Sequence, residues 1–131
     1  MIIKQLSVFL ENRVGRTKEV TSLLANAGVD ILAFSTADMI EFGVLRLVVP
    51  DVDRAASVLK EAGFATIVTD VVSVSCPNET GALASILAKL ADNDISVEYM
   101  YALQQGGNAR AIIRPSDLDK CVKALGSVDK D

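Results

Sequence analysis

The sequence LENRVG at residues 10–15 returns in similar form as CPNETG at residues 76–81, and the chain is arranged around these two segments. Each segment follows an apolar run and precedes residues spaced as in an amphipathic helix. In each, Asn stands three positions before Gly. Glycine permits a sharp turn, and the first turn of the following helix presents unpaired N–H groups. Each segment therefore predicts a strand-to-helix turn that can receive an anionic group.

The repeat extends beyond these turns. At a constant offset of 66 residues, Val8 aligns with Val74 and Leu24 aligns with Leu90. The alignment needs no gap from the first predicted strand through the second. A constant period over this length indicates a duplicated unit.

Apolar spacing predicts the same order of elements in both halves. The predicted strands are 2–10, 29–38, 42–49 and 64–69 in the first half, and 71–76, 95–103 and 108–114 in the second. Predicted helices follow Gly15, Asp51, Gly81 and Ser116. The first half is βαββαβ, and the second half repeats this order without a clear final strand.

Composition limits the class of protein. Half of the 131 residues are hydrophobic and the mean hydropathy is +0.36, which is high for a chain this short, so part of the apolar surface is expected in an oligomer interface. No apolar run is long enough to span a bilayer, and the N-terminus lacks the pattern of a signal peptide. We therefore expect a cytoplasmic protein without a membrane partner.

Charge and residue content disfavour several chemistries. The net charge of −4 disfavours nucleic acid as a partner. Cys76 and Cys121 lack metal or redox spacing and are expected to be small buried hydrophobes in a reducing compartment. The chain has no His, and no carboxylate pair accompanies a nucleophile or base. We expect no enzyme activity, no catalytic residues, no metal and no cofactor.

The two turns suit a small zwitterion. Converging N–H donors and the positive end of a helix dipole favour a carboxylate, while the Asn amide offers both a donor and an acceptor. An α-amino acid carries both charges on one carbon. The alternative is that Gly15 and Gly81 only form tight turns, with Asn12 and Asn78 as local caps.

These residues give the chain its family resemblance. The segment Asn78–Leu83 (NETGAL) resembles the loop of tandem ACT-domain proteins of the stand-alone, amino-acid-binding kind. The segment Asn12–Thr17 matches less closely, with Thr17 where Leu is usual. The stretches Ala33–Val49 and Glu98–Ala102 also look like this family, and the resemblance covers residues 1 to about 125.

The resemblance implies an α+β fold of two ferredoxin-like βαββαβ (ACT) modules in tandem. Their antiparallel sheets would carry helices on one face and would join side by side into one larger sheet. The modules are expected at 1–69 and 70–131, with the last strand of the second short or missing. Because an open sheet edge invites pairing with another chain, we expect a homodimer.

By the same resemblance, the function is regulatory amino-acid binding at the interface between ACT modules, through the loops that join the first strand to the first helix. The implied ligand-binding residues are Asn12, Val14, Gly15, Arg16, Asp30, Asn78, Thr80, Gly81, Ala82, Leu83 and Ser96. Expected partners are a free amino acid or similar small zwitterion, a second copy of the chain, and an unattached enzyme or regulator.

Other functions remain open at this point. The main alternative is a dimerising ACT-like scaffold or partner-regulating subunit that binds no ligand. An acylphosphatase-like enzyme would use an Arg cradle, which Arg13 and Arg16 could supply. A metal carrier of this topology needs C-x-x-C in the first loop, and an RNA-binding module needs aromatic strands and a basic face. The sequence lacks both patterns.

Overall fold

The computed structural model describes residues 1–38, 40–105 and 108–128. The elements in chain order are β1 (Ile2–Glu11), α1 (Arg16–Asn26), β2 (Ala33–Ala37), β3 (Phe42–Val48), α2 (Val52–Glu61), β4 (Ala65–Ser75), α3 (Ala82–Asp92), β5 (Val97–Gln105), β6 (Asn108–Pro115) and α4 (Leu118–Leu125). The chain forms two compact units. The first unit is Lys4–Thr69, and the second unit is Met1–Ile3 with the chain from Asp70 onward.

In the first unit, the antiparallel strands lie in the order β2-β3-β1. Leu6 pairs with Leu47 and Val8 with Leu45, so these side chains share one face of the sheet. Both helices pack on that face, because its residues form one core with residues of α1 and α2. The buried members of this core are Leu6, Val8, Leu10, Val20, Leu24, Val29, Leu45, Leu47, Val49, Ala55, Ala56, Leu59 and Phe64.

The second unit repeats this arrangement with strand order β4-β6-β5. At the offset of 66 residues, the pair Val8 and Leu45 corresponds to Val74 and Ala111, which are paired in the same register. The helix α3 likewise matches α1 at both ends. The buried core is Val72, Val74, Ile86, Leu90, Ile95, Ala111, Ile113, Cys121 and Leu125. The duplication inferred from the sequence therefore extends to the strand register.

The second strand of each unit begins later than predicted, at Ala33 and Val97 rather than at residues 29 and 95. The cause is a Schellman motif at the end of the preceding helix. The Val29 N–H donates to the carbonyl of Leu24 at 2.9 Å, and the Ile95 N–H donates to Leu90 at 2.9 Å. These residues cap a helix before the chain can enter the sheet.

The predicted strands 64–69 and 71–76 are one continuous strand, β4. The boundary between the two units falls inside it, at Thr69 and Asp70. Nothing in this stretch breaks a strand, because it contains neither Gly nor Pro. Residues 126–128 after α4 form a turn, and the last three residues of the chain lie outside the described part.

Candidate functional site

Both predicted turns are present with the same backbone. Gly15 has φ of 90° and Gly81 has φ of 86°, and each precedes the first residue of its helix. In α3, the Ala82 N–H donates to the carbonyl of Glu79 at 3.2 Å and the Ser85 N–H donates to Gly81 at 2.9 Å. Within the described ranges, residues 83 and 84 have no backbone acceptor for their N–H groups. The N-terminus of α3 therefore keeps donors that can meet an anion.

The first turn is tied to the neighbouring hairpin. The Asn12 backbone N–H donates to the carbonyl of Glu41 at 2.7 Å, and its side-chain Nδ2 donates to the carbonyl of Ile40 at 3.0 Å. The side chain of Val14 is fully exposed. The side-chain amide of Asn12 thus holds the turn against the hairpin of its own unit. The sequence instead predicts a ligand contact for this side chain.

Arg16 also forms its contacts within the first unit. Its guanidinium contacts the carboxylates of Glu19 at 2.9 Å and Glu11 at 3.5 Å, and it lies 4.4 Å from the ring centroid of Phe64. Its Nε is buried without a hydrogen-bond partner among the described residues. The guanidinium lies over the face of the aromatic ring in a cation–π contact, which is a structural use of the side chain.

The second turn borders a groove of about 600 Å³, which we call the second-unit groove. It lies between the β4–α3 turn and β5. Its lining residues are Cys76, Pro77, Asn78, Glu79, Leu83, Met100, Tyr101, Ala102, Leu103, Gln104, Ala109, Arg110 and Ala111. Among the described residues, the Asn78 side chain has no hydrogen-bond partner. This volume is typical of a small-molecule site.

Strand alternation shows which side chains of β5 can reach the groove. Met100 pairs with Ile113 and Ala102 pairs with Ala111, so all four lie on the face that carries the helices. Arg110 lies on the opposite face, where its Nε donates to Ser73 Oγ at 2.8 Å. The groove wall along β5 is therefore apolar at Met100 and Ala102 and polar at Gln104, and further polar groups lie at the turn.

Several predicted site residues do not line this groove. Thr80, Gly81 and Ala82 belong to the same turn but are absent from the lining. Ser96 pairs with Ser116, since its N–H donates to Ser116 Oγ at 3.0 Å and its carbonyl accepts from the Ser116 N–H at 2.9 Å. Asp30 lines two other pockets, both beside Gly28. Of the predicted ligand-binding residues, only Asn78 and Leu83 line the second-unit groove.

The first unit has an equivalent groove of about 550 Å³, the first-unit groove. Its lining residues are Thr17, Lys18, Thr21, Ile31, Phe34, Thr36, Leu45 and Leu47. At the offset of 66, Thr17 corresponds to Leu83 and Phe34 to Met100. None of the predicted first-turn residues lines it. The first-unit groove reaches only Thr17 at the start of α1, whereas the second-unit groove extends along the turn through Asn78 and Glu79.

Met100 and Ala102 line the groove but were not among the predicted ligand-binding residues. A simple alternation along the strand does not find them, because the register shift between Val97 and Tyr99 changes which residues of β5 share the face of the core. Cys76 also lines the groove and is half-buried, whereas burial raises the pKa of the Cys121 thiol. The described residues contain no group of three or more potential metal ligands. None of their helices combines the length and apolarity needed to cross a bilayer.

Comparison with known proteins places this chain in a family. A crystal structure of a Bacteroides thetaiotaomicron protein has a TM-score of 0.89 and 45% identity, covering 97% of this chain and 88% of that one. The ligand-free regulatory subunit of aspartate kinase from Thermus thermophilus has a TM-score of 0.67 and 13% identity, covering 99% and 98%. The corresponding subunit from Thermus flavus has a TM-score of 0.62 and 15% identity, covering 99% and 96%. A search of curated proteins gave no match. The family profile described as an ACT domain pair matches residues 1–126, and the chain therefore belongs to the ACT domain pair family.

Proposed function

We propose that this chain is a regulatory protein that binds a free α-amino acid at a strand-to-helix turn of an ACT module. The observation that carries the proposal is the second-unit groove, which adjoins the turn from Pro77 to Gly81. In the same place lie N–H donors without a backbone acceptor, the side-chain amide of Asn78 and an apolar wall.

Each part of an amino acid finds matching chemistry there. The N–H groups at the start of α3 and the helix dipole favour the carboxylate. The Asn78 amide can donate to the carboxylate or accept from the ammonium group. The side chain of the ligand would lie along the apolar wall that Met100 and Ala102 form. A few placed polar groups on an apolar surface are typical of small-molecule sites.

The remaining surface of the ligand needs a cover, because the second-unit groove is open to solvent. We propose that a neighbouring ACT module provides it, as the family resemblance implies, and that the protein acts as a homodimer. We also propose that the response to ligand passes to a separate enzyme or regulator and that the chain itself is not an enzyme.

A thermal-shift screen against the twenty amino acids tests the proposal. A ligand present at 100 times its Kd should stabilise the protein by about 2.7 kcal/mol, which is a readily measured rise in Tm. We expect Asn78→Ala to reduce this rise without changing the Tm of the free protein, because the side chain is exposed. A flat response to all twenty compounds would exclude amino-acid binding.

A second candidate is a dimerising scaffold or partner-regulating subunit that binds no ligand. Exposed aromatic side chains of the first unit favour it, with Phe34 at 71% and Phe42 at 69% exposure. Large exposed aromatic groups are typical of protein interfaces. In that case the chain would dimerise, and the amino-acid screen would give no shift.

A further inference from the structure

The two strand-to-helix turns share a backbone but differ in chemistry. We infer that only the second unit holds the ligand and that the ligand is an α-amino acid with an uncharged, apolar side chain. This inference rests on the proposed function and adds to it which turn binds and what kind of side chain it accepts.

The first turn is occupied by contacts of its own unit. Asn12 hydrogen-bonds the β2–β3 hairpin, and the guanidinium of Arg16 is shared between two carboxylates and the ring of Phe64. A ligand at this turn would have to replace these contacts. In the second turn, Asn78 is equivalent to Asn12 and Ala82 is equivalent to Arg16. Asn78 borders the groove, and the uncharged Ala82 can form no ion pair.

The charges at equivalent positions are opposite. Glu79 lines the second-unit groove, and its counterpart at the offset of 66 is Arg13. A carboxylate beside N–H donors complements both charges of an amino acid, because it attracts the ammonium while the donors attract the carboxylate. The first turn carries Arg13 and Arg16, and Lys18 lines its groove. The carboxylates of Glu11 and Glu19 beside this turn already pair with the two guanidinium groups, so neither is available to an ammonium group.

The walls of the second-unit groove select an apolar side chain. Leu83, Met100, Ala102 and Ala111 replace Thr17, Phe34, Thr36 and Leu45 of the first-unit groove. Two alanines leave room where the first unit has larger groups, and Leu and Met provide flexible hydrocarbon and thioether surface. Arg110, the cationic residue of the lining, directs its guanidinium to Ser73 on the other face. A charged ligand side chain along Met100 and Ala102 would lose water without meeting an opposite charge, because Glu79 would pair with the ammonium group of the ligand.

Matched variants at equivalent positions test this inference by titration calorimetry with the amino acids that stabilise the protein. Ala102→Leu adds three carbon atoms to the second-unit groove, and Thr36→Leu adds bulk at the same point of the first-unit groove. Both positions are exposed on a strand, so both variants should fold. We expect Ala102→Leu to weaken binding about tenfold or more, and Thr36→Leu to bind as the unchanged protein does.

Glu79 and Arg13 provide a second pair of matched variants, which tests the role of charge. Glu79→Gln should weaken binding about tenfold, whereas Arg13→Gln should leave it unchanged. The unchanged protein should bind one ligand per chain and prefer aliphatic or thioether amino acids over Asp, Glu, Lys and Arg. Two ligands per chain, a preference for a charged side chain, or equal effects within either pair would overturn this inference while leaving amino-acid binding intact. Absence of any binding would instead refute the proposed function.

Discussion

At the residue scale, the asparagines of the two similar turn segments differ in their contacts among the described residues. Asn12 donates to a carbonyl 28 residues away in the chain, whereas Asn78 has no partner among the described residues. The residues that correspond to the Asn12 partners Ile40 and Glu41 are 106 and 107, which lie outside the described part. A side chain can serve a ligand only when its own fold has not already used its donors.

The second turn requires glycine because of its backbone conformation and not because of crowding. Gly81 has φ of 86°, and a Cβ added there would have no heavy atom within 4 Å. We predict that Gly81→Ala lowers the free energy of unfolding by about 1–2 kcal/mol, because an L side chain at positive φ is strained. Urea denaturation measures this change.

Gly126→Ala is the matched control, since Gly126 has φ of −59° and its added Cβ would lie 3.4 Å from the nearest oxygen. It should leave the free energy of unfolding within about 1 kcal/mol of its starting value. If both variants lose equal stability, backbone strain is not the reason for glycine at position 81.

At the element scale, α2 and α4 begin with the same cap. The side chain of Asp51 accepts from the Arg54 N–H at 3.1 Å, and Asp117 accepts from the Lys120 N–H at 3.0 Å. The N-terminus of α2 is also joined to the end of α1, because Arg54 Nη2 donates to the carbonyl of Ala27 at 2.6 Å. The caps set where both helices start, as Asp before an apolar stripe predicts.

We predict that Asp51→Ala and Asp117→Ala each lower the free energy of unfolding by about 1 kcal/mol. Each change removes one side-chain acceptor and one negative charge beside a helix N-terminus. The conservative variants Asp51→Asn and Asp117→Asn keep the acceptor and should lose much less. Equal losses for Ala and Asn would mean that charge, and not capping, supplies the stabilisation. Chemical denaturation of the four variants separates these cases.

At the scale of the whole molecule, the two halves keep the same strand register but differ in the side chains of their turns and grooves. Strand pairs such as Phe9 with Val44 and Ser75 with Arg110 keep the same register 66 residues apart. The side chains differ, however, and so do the grooves of the two units. A duplicated fold keeps core positions apolar because packing requires it, while turns and groove walls are free to diverge.

We predict that the protein is a homodimer. Half of its residues are hydrophobic, and ten large apolar side chains of the described part are exposed. Such surface favours association over exposure to water. Equilibrium sedimentation at micromolar concentration should give twice the mass of the chain, with dissociation only at lower concentration. A single species with the mass of one chain across this range would contradict the prediction.

The sequence by itself determined the repeated order of elements and the glycine turns, because these depend on local backbone chemistry and on a period that runs along the chain. It also predicted Asn78 and Leu83 beside the second turn, and both line the groove there. Periodicity could not place the start of the second strand of each unit, because a Schellman hydrogen bond competes with the sheet for Val29 and Ile95.

Only the tertiary structure decided that the second-unit groove extends along its turn. The side chains of the first turn contact residues that are distant in the chain: Asn12 bonds to Ile40, and Arg16 lies over Phe64. The groove wall of Met100 and Ala102 likewise approaches Asn78 only after β5 pairs with β6. Such contacts depend on how strands and helices pack, and the spacing of residues within one element carries no information about them.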